Sequence, residues 1–457
     1  MEVTLLGTGG GSGWPHPFCT CASCAAAAAE GEIRAHTSAL IDGVLLVDCG
    51  QDVPRSAVRC GVALDRVRHL LVTHDHHDHA NGAALLWRHW AARSEPLDVL
   101  GPRSALDSLA MWLPPDEPGV AFRPLLPGEI VALGEYTVRV LAAEHDSDGA
   151  LIYDIASADG RRVLYATDTG PGFEIPDDAR YDLVLLEESW GDNTAHATGR
   201  HHDLTTFPLT LQRLRACGAI DDSSRVAAIH LGHGNPRPSV LRERLAAWGV
   251  ELPIDGSTIQ IGAPSPVRER PRRTLVLGGA RSGKSAAAER LLAAEPEVCY
   301  VATSSEATDD QEWSARIAAH RARRPASWST VATTSLAELL RARGPDDPPL
   351  LIDCLTVWLS RVIDETGLWS ASDDVAAKTA DVALAATIDD FVEAWQTTQA
   401  RVVAVSNEVG SGIVPEHRSG RLFRDELGAL NARIAAVSDD VLLVTAGITR
   451  SLYRTEP

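Results

Sequence analysis

Positive charge is scarce in this chain: 42 lysines and arginines face 62 aspartates and glutamates, a formal net charge of −20 over 457 residues. A protein that neutralises many nucleic-acid phosphates needs a basic surface, so the balance argues against broad nucleic-acid binding. A small anionic substrate stays open, because metals and a few local arginines can hold it. Cysteine is also sparse, with eight in all: Cys19, Cys21 and Cys24 lie close together and five are scattered. That is too few for a disulfide framework, and the tight trio suits a metal better. No apolar run approaches the roughly 18 residues of a membrane span. The start Met1-Glu2-Val3-Thr4-Leu5-Leu6-Gly7 has neither the basic segment nor the long apolar stretch of a signal peptide. The expectation is a cytoplasmic protein with no membrane span.

What is present is ordinary for globular chains, 45% apolar and 23% charged. At about 150 residues per domain the length predicts two or three domains. Residues 263–273, Ala263-Pro264-Ser265-Pro266-Val267-Arg268-Glu269-Arg270-Pro271-Arg272-Arg273, hold three prolines and five charges and offer no core. They predict a linker between a domain at 1–262 and another at 274–457.

The first domain is organised around His74-Asp75-His76-His77-Asp78-His79. The preceding His69-Leu70-Leu71-Val72 reads as a buried strand, which puts the cluster at its carboxyl end, where open α/β sheets carry their sites. Imidazole and carboxylate ligate Zn, Mn or Fe, and His74, His76, Asp78 and His79 spell H-x-H-x-D-H. Single candidates follow at later strand ends: His145 after 138–141, Asp168 after 163–166 and His230 after 226–229. Together with the first motif they offer seven imidazole and carboxylate donors for metal. The glycine-rich Gly7-Thr8-Gly9-Gly10-Gly11-Ser12-Gly13 does not fit the dinucleotide fingerprint and reads as a tight turn near the metal floor. Residues 39–48 read as a hairpin turning at Asp42-Gly43, and 80–92 as a helix. Cys19-Thr20-Cys21-Ala22-Ser23-Cys24 offers three thiolates, and a tetrahedral structural zinc needs a fourth ligand from elsewhere.

These motifs resemble the metallo-β-lactamase superfamily, which implies an αββα sandwich. There the first histidine pair holds one metal, the Asp-His pair holds a second, and an aspartate at the position of Asp48 supports the ligands from behind. With the cysteine knot, Arg200-His201-His202-Asp203-Leu204 and His230-Leu231-Gly232-His233, the chain is similar to the phosphodiesterase of the carbon-phosphorus lyase pathway, which cleaves a cyclic ribose phosphate. The resemblance implies a dinuclear Zn or Mn site that includes His230, a structural Zn held by Cys19, Cys21, Cys24 and His233, and His201 as the group that protonates the leaving oxygen. His202, its neighbour, stays open for that role. Two such metals activate water and clamp phosphate oxygens, and a protonated histidine supplies the proton an alkoxide needs. Glutathione-thioester and lactam hydrolases use a related site, and tRNA 3′-end endonucleases carry the same H-x-H-x-D-H. An RNA-processing hydrolase, a thioester hydrolase and a silent scaffold are therefore the alternatives for this domain.

The second domain opens with the strand Thr274-Leu275-Val276-Leu277, which runs into Gly278-Gly279-Ala280-Arg281-Ser282-Gly283-Lys284-Ser285 and an alanine-rich helix. This is G-x-x-x-x-G-K-S in the strand-to-helix setting of a phosphate-binding P-loop. Backbone amides and the helix N-terminus cradle phosphates, Lys284 reaches the terminal ones, and Ser285 takes Mg. Leu350-Leu351-Ile352-Asp353 ends in an acid suited to Mg through water. Further strands at 298–301 and 402–405 alternate with helices, so the domain is predicted to be a P-loop α/β fold on a largely parallel sheet. The P-loop with Ala302-Thr303-Ser304, Arg316-Ile317-Ala318-Ala319-His320-Arg321, Asp353-Cys354-Leu355-Thr356 and Ser406-Asn407-Glu408-Val409-Gly410 looks like the bifunctional adenosylcobinamide kinase and adenosylcobinamide-phosphate guanylyltransferase family. The resemblance implies phosphorylation of adenosylcobinamide, then attack of His320 on the α-phosphate of GTP and transfer of GMP to the new phosphate. It implies ATP, GTP and Mg as cofactors, small-molecule partners, and a homo-oligomer. The resemblance implies Asn-Gln at the place where this chain has Asn431-Ala432.

Overall fold

The computed structural model describes residues 1–114, 117, 119–147, 149–193, 199–263, 272–303, 324–370 and 373–454. The chain divides into two compact units, Met1–Glu269 and Arg270–Pro457.

In the first unit the strands are β1 (Glu2–Gly7), β2 (Ser38–Ile41), β3 (Leu45–Val47), β4 (His69–Leu71), β5 (Leu97–Gly101) and β6 (Val120–Pro124). They are followed by β7 (Ile130–Leu133), β8 (Tyr136–Ala142), β9 (Leu151–Ser157), β10 (Arg162–Ala166), β11 (Leu183–Glu187), β12 (Arg225–Ile229) and β13 (Val250–Glu251). A last strand, β14 (Thr258–Gln260), returns to pair with β1. Two seven-stranded sheets result, ordered β14-β1-β2-β3-β4-β5-β6 and β13-β12-β11-β10-β9-β8-β7.

Alternation of side chains along each strand decides the layering. Val3, Leu5, Val47 and Leu71 of the first sheet share one buried cluster with Val138, Tyr153, Tyr165 and Ile229 of the second. The opposite face of the first sheet, through Leu46, Leu70 and Val99, packs on Val53 of α2 (Val53–Arg59), Leu85 of α3 (Ala83–Trp90) and Leu106 of α4 (Arg103–Ala110). The helix preceding these in the chain is α1 (Ala22–Glu30). Leu211 and Leu214 of α5 (Phe207–Ala216) and Leu241 and Leu245 of α6 (Pro238–Ala247) are likewise buried. This is the αββα sandwich of the metallo-β-lactamase fold. Each fully buried leucine contributes about 1.5–3 kcal/mol of transfer free energy.

The topology also gathers strand ends. β10, β11 and β12 are mutually parallel, and β8 runs with them because both are antiparallel to β9. The carboxyl ends of β8, β10, β11 and β12 therefore lie on one edge. The helix expected over 80–92 is shorter, with α3 running from Ala83 to Trp90. Cys49 N donates to His79 O and Asn81 N to Cys49 O, which holds Ala80 in a bridge to Cys49, and the Asn81 side chain then caps the Ala83 amide at 3.0 Å.

The second unit has strands β15 (Arg273–Gly278), β16 (Cys299–Ala302), β17 (Ser329–Ala332), β18 (Leu350–Asp353), β19 (Val402–Asn407), β20 (Asp440–Thr445) and β21 (Ile448–Arg454). Their order is β17-β16-β18-β19-β15-β20-β21, with every neighbouring pair parallel except β20 with β21. Its α-helices among the described residues are α7 (Lys284–Leu291), α8 (Leu336–Arg341), α9 (Leu355–Glu365), α10 (Asp374–Thr397) and α11 (Arg418–Ala436). Leu275 and Leu277 face a core with Trp358 and Phe391, whereas Val276 faces the other side with Ala287 and Ala288 of α7. Among the described residues no helix is long and apolar enough to cross a membrane.

Candidate active sites

The seven residues His74, His76, Asp78, His79, His145, Asp168 and His230 converge on the edge where the strand ends meet. Overlapping groups of ligand atoms form there, each within 4.8 Å, among them His74, His76 and His145, and Asp78, His79 and His230. Asp168 spans them. Its Oδ2 lies 2.8 Å from His79 Nε2 and 3.0 Å from His230 Nε2, and its Oδ1 is 3.9 Å from His145 Nε2.

The residues behind fix which ring nitrogen faces inward. His79 Nδ1 donates to Asp48 Oδ2 at 2.8 Å, so Nε2 faces the cluster. Ser189 Oγ donates to Glu187 Oε2 at 2.8 Å and is 2.9 Å from His230 Nδ1, so that ring also turns Nε2 inward. Thr73 Oγ1 donates to Asp48 and lies 3.1 Å from His74 Nδ1, leaving His74 Nε2 buried with no hydrogen-bond partner. Two imidazole Nε2 atoms 3.3 Å apart, flanked by two carboxylates and near an orphaned third imidazole, form a donor set that a pair of transition-metal ions fits. The buried carboxylates favour positive charge at this site. Burial opposes charge, yet Asp78 and Asp168 hold the His79 imidazole well above its ordinary range. Burial likewise opposes protonation of His230, but Asp168 and Asp78 raise it to about 10.

The glycine-rich turn lies against this floor. A Cβ on Gly10 would sit 3.1 Å from the His230 ring and one on Gly11 3.0 Å from the Asp78 carboxylate, so larger residues would press on the ligands.

His201 sits at the rim with its ring 4.9 Å from that of His145 and stacked 6.1 Å from that of His230. Its Nδ1 donates to Glu187 Oε2 at 2.9 Å. His202 is spent elsewhere: its Nε2 pairs with Thr210 Oγ1 at 2.8 Å in a fully buried setting. Sequence reasoning missed Glu187, which touches His201, Ser189 and the His202 amide at once. It closes the buried strand Leu183–Glu187, the same signal that singled out Asp168 and His230.

Cys19, Cys21, Cys24 and His233 also come together, one ligand atom from each within 4.8 Å of the others. Cys21 caps α1, accepting from the Cys24 amide. Burial pushes the Cys24 thiol up to about 11, with Cys21 and Cys19 adding to it. Three thiols and an imidazole form the donor set of a closed tetrahedral zinc site.

In the second unit Gly278 ends β15, and the loop 279–282 leads to Gly283, whose φ of 94° is left-handed and suits glycine. Lys284, only 8% exposed, folds back so that Nζ donates to Gly279 O at 3.1 Å. Ser285 follows on the first turn of α7. Asp353 ends β18, two strands from β15, and accepts from Tyr300 Oη at 3.0 Å. Asn431 is buried, and its Nδ2 donates to Asn407 O at the end of β19. His320 lies outside the described residues, as do Ser304, Arg316 and Arg321.

The first unit thus has the fold and donor set of a metal-dependent hydrolase, and the second those of a P-loop phosphotransferase. Residues 44–231 match the β-lactamase superfamily domain, and residues 274–452 match the family described as cobinamide kinase / cobinamide phosphate guanyltransferase. The chain is 41% identical over 175 residues to the bifunctional adenosylcobalamin biosynthesis protein CobU of Escherichia coli (strain K12), covering 38% of this chain and 96% of that relative. A ribonuclease Z of Bradyrhizobium sp. (strain ORS 278) is 26% identical over 128 residues, 26% of this chain and 42% of its own. A solved structure of a diphosphatase from the PhnP family aligns with 56% of this chain and 96% of its own, at 20% identity and a TM-score of 0.44. The chain belongs to the cobinamide kinase / cobinamide phosphate guanyltransferase family through its C-terminal part. It is an enzyme in which that kinase and transferase domain is joined to a metallo-β-lactamase-fold hydrolase domain.

Proposed function

We propose that residues 274–457 phosphorylate adenosylcobinamide and then pass GMP from GTP, through an adduct on His320, to the new phosphate, while residues 1–262 hydrolyse a phosphodiester at a dinuclear metal site. Residues 263–273 link the two. For the transferase half the support is the match along 96% of a relative's length together with a formed P-loop. In that loop the amides of 279–283 and the N-terminus of α7 bind phosphate oxygens, and Lys284 leaves Gly279 O to pair with the terminal ones. Ser285 and Asp353 would hold the Mg that accompanies ATP or GTP. In the transfer a His320 ring nitrogen forms a bond to the α-phosphorus and pyrophosphate leaves. The substrate phosphate oxygen then attacks that phosphorus, and the nitrogen–phosphorus bond breaks. GTP labelled at the α-phosphate should give an acid-labile protein adduct that vanishes in His320→Ala; an adduct that persists contradicts the assignment.

For the hydrolase half the carrying observation is Asp168, whose carboxylate reaches both ligand groups. Zn or Mn at His74, His76, Asp78, His79, His145, Asp168 and His230 would supply an activated water and charge neutralisation for phosphate oxygens. His201 holds a proton on Nε2 for the leaving oxygen, while Glu187 fixes Nδ1. Cys19, Cys21, Cys24 and His233 would hold a structural zinc. Hydrolysis of bis-p-nitrophenyl phosphate, lost in Asp168→Ala, tests this; equal turnover in that variant contradicts it.

The likeness to a ribonuclease Z favours a second reading, an RNA-processing hydrolase. The net charge of −20 opposes it. The partners in our reading are small molecules and further copies of the chain, in the cytoplasm.

A further inference from the structure

On the outer face of the first sheet, away from the metal ligands, lies a cavity of about 320 Å³ between α2 and α3. Its floor is the buried aliphatic row Leu46, Val67, Leu70, Leu85 and Leu97, and Pro54 and Trp87 form its sides. Well-packed cores leave few voids larger than a water molecule. A dry apolar cavity of roughly 150 Å³ admits benzene, so this one has room for a body of about two rings.

Its mouth is polar and basic. Arg68, Arg88 and Arg93 stand there with Asp65 and Glu95. Arg88 donates to the carbonyls of Arg93 and Glu95, Arg68 to those of Asp65 and Val67, and Arg93 to Asp65 O while pairing with Glu95 at 3.0 Å. A guanidinium has five N–H donors, so these bonds hold each head in place and leave donors over. In Arg88, burial lowers the pKa, Glu95 opposes, and Arg93 and Arg68 add to the lowering. The opening carries three arginines against two carboxylates, Asp65 and Glu95. An anion there relieves their mutual repulsion and takes up their spare donors.

We propose that this cavity binds a small amphiphile, an apolar body of about ten to twelve carbons with one carboxylate or similar anionic head, with the head on the three arginines and the body on the aliphatic floor. Its lining includes none of the metal-ligand candidates of the first unit.

The test is calorimetric titration of the full chain with 2-naphthoate, and with uncharged 2-naphthylmethanol as the control. Saturable one-to-one binding is expected, tighter than about 1 mM and at least about tenfold stronger for the acid. Ala84→Phe fills the cavity and should abolish binding, and Arg88→Gln should weaken the acid about tenfold and leave the alcohol unchanged. If Ala84→Phe does not fold, Arg88→Gln decides alone. No saturable binding, or acid binding undiminished in Arg88→Gln, overturns the proposal.

Discussion

His201 Nδ1 lies 2.9 Å from Glu187 Oε2, and the glutamate is fully buried behind it. The same carboxylate holds Ser189 and the His202 amide, so Glu187 orients the rim histidine and, through Ser189, the His230 ring. Glu187→Gln keeps the shape and removes the charge. It should lower kcat for phosphodiester hydrolysis by about 10²-fold, with KM changed little. Equal kcat in the variant would remove Glu187 from the account.

Asp48 accepts from His79 Nδ1, from the Thr73 amide and from Tyr165 Oη. Partners behind a metal-ligating histidine typically set metal affinity by about 10–100-fold. Asp48→Asn should weaken binding at the dinuclear site by that factor, read by competition with a chelator. The metal at the cysteine knot should stay bound.

Cys24→Ser removes one thiolate from the Cys19, Cys21, Cys24 and His233 set. Metal analysis should show one zinc fewer per chain, and the melting temperature of the first unit should fall. An unchanged zinc content contradicts the assignment of that site.

Trp358 is 1% exposed and its ring lies 4.8 Å from that of Phe391. Trp358→Ala should destabilise the second unit by about 3–5 kcal/mol, seen as a lower denaturant midpoint for that unit.

Much of this was legible in the sequence because strand ends carry chemistry. The runs ending before His74, Asp168 and His230 are apolar and bounded by polar residues, and their residue types name the donor set. The P-loop is legible because phosphate binding demands glycines, a lysine and a hydroxyl at fixed spacing. Glu187 carries the same strand-end signal and was not read, and its role shows only where the fold brings His201, fourteen residues on, to its side. The start of α3 was missed for a similar reason. Ala80 and Asn81 favour no such bridge themselves, and the Cys49 pairing, over thirty residues away, holds them. The choice between His201 and His202 likewise depended on Thr210.

The most direct test of the account is a turnover panel with the metal-loaded full-length chain: linear and cyclic phosphodiesters, a glutathione thioester and a tRNA precursor, each with His76→Ala and His201→Ala alongside. The account predicts that a phosphodiester is the best substrate, that His76→Ala loses metal and activity together, and that His201→Ala keeps its metal while losing turnover. Full metal occupancy with no phosphodiester turned over, or a preference for the thioester or the tRNA, would contradict it.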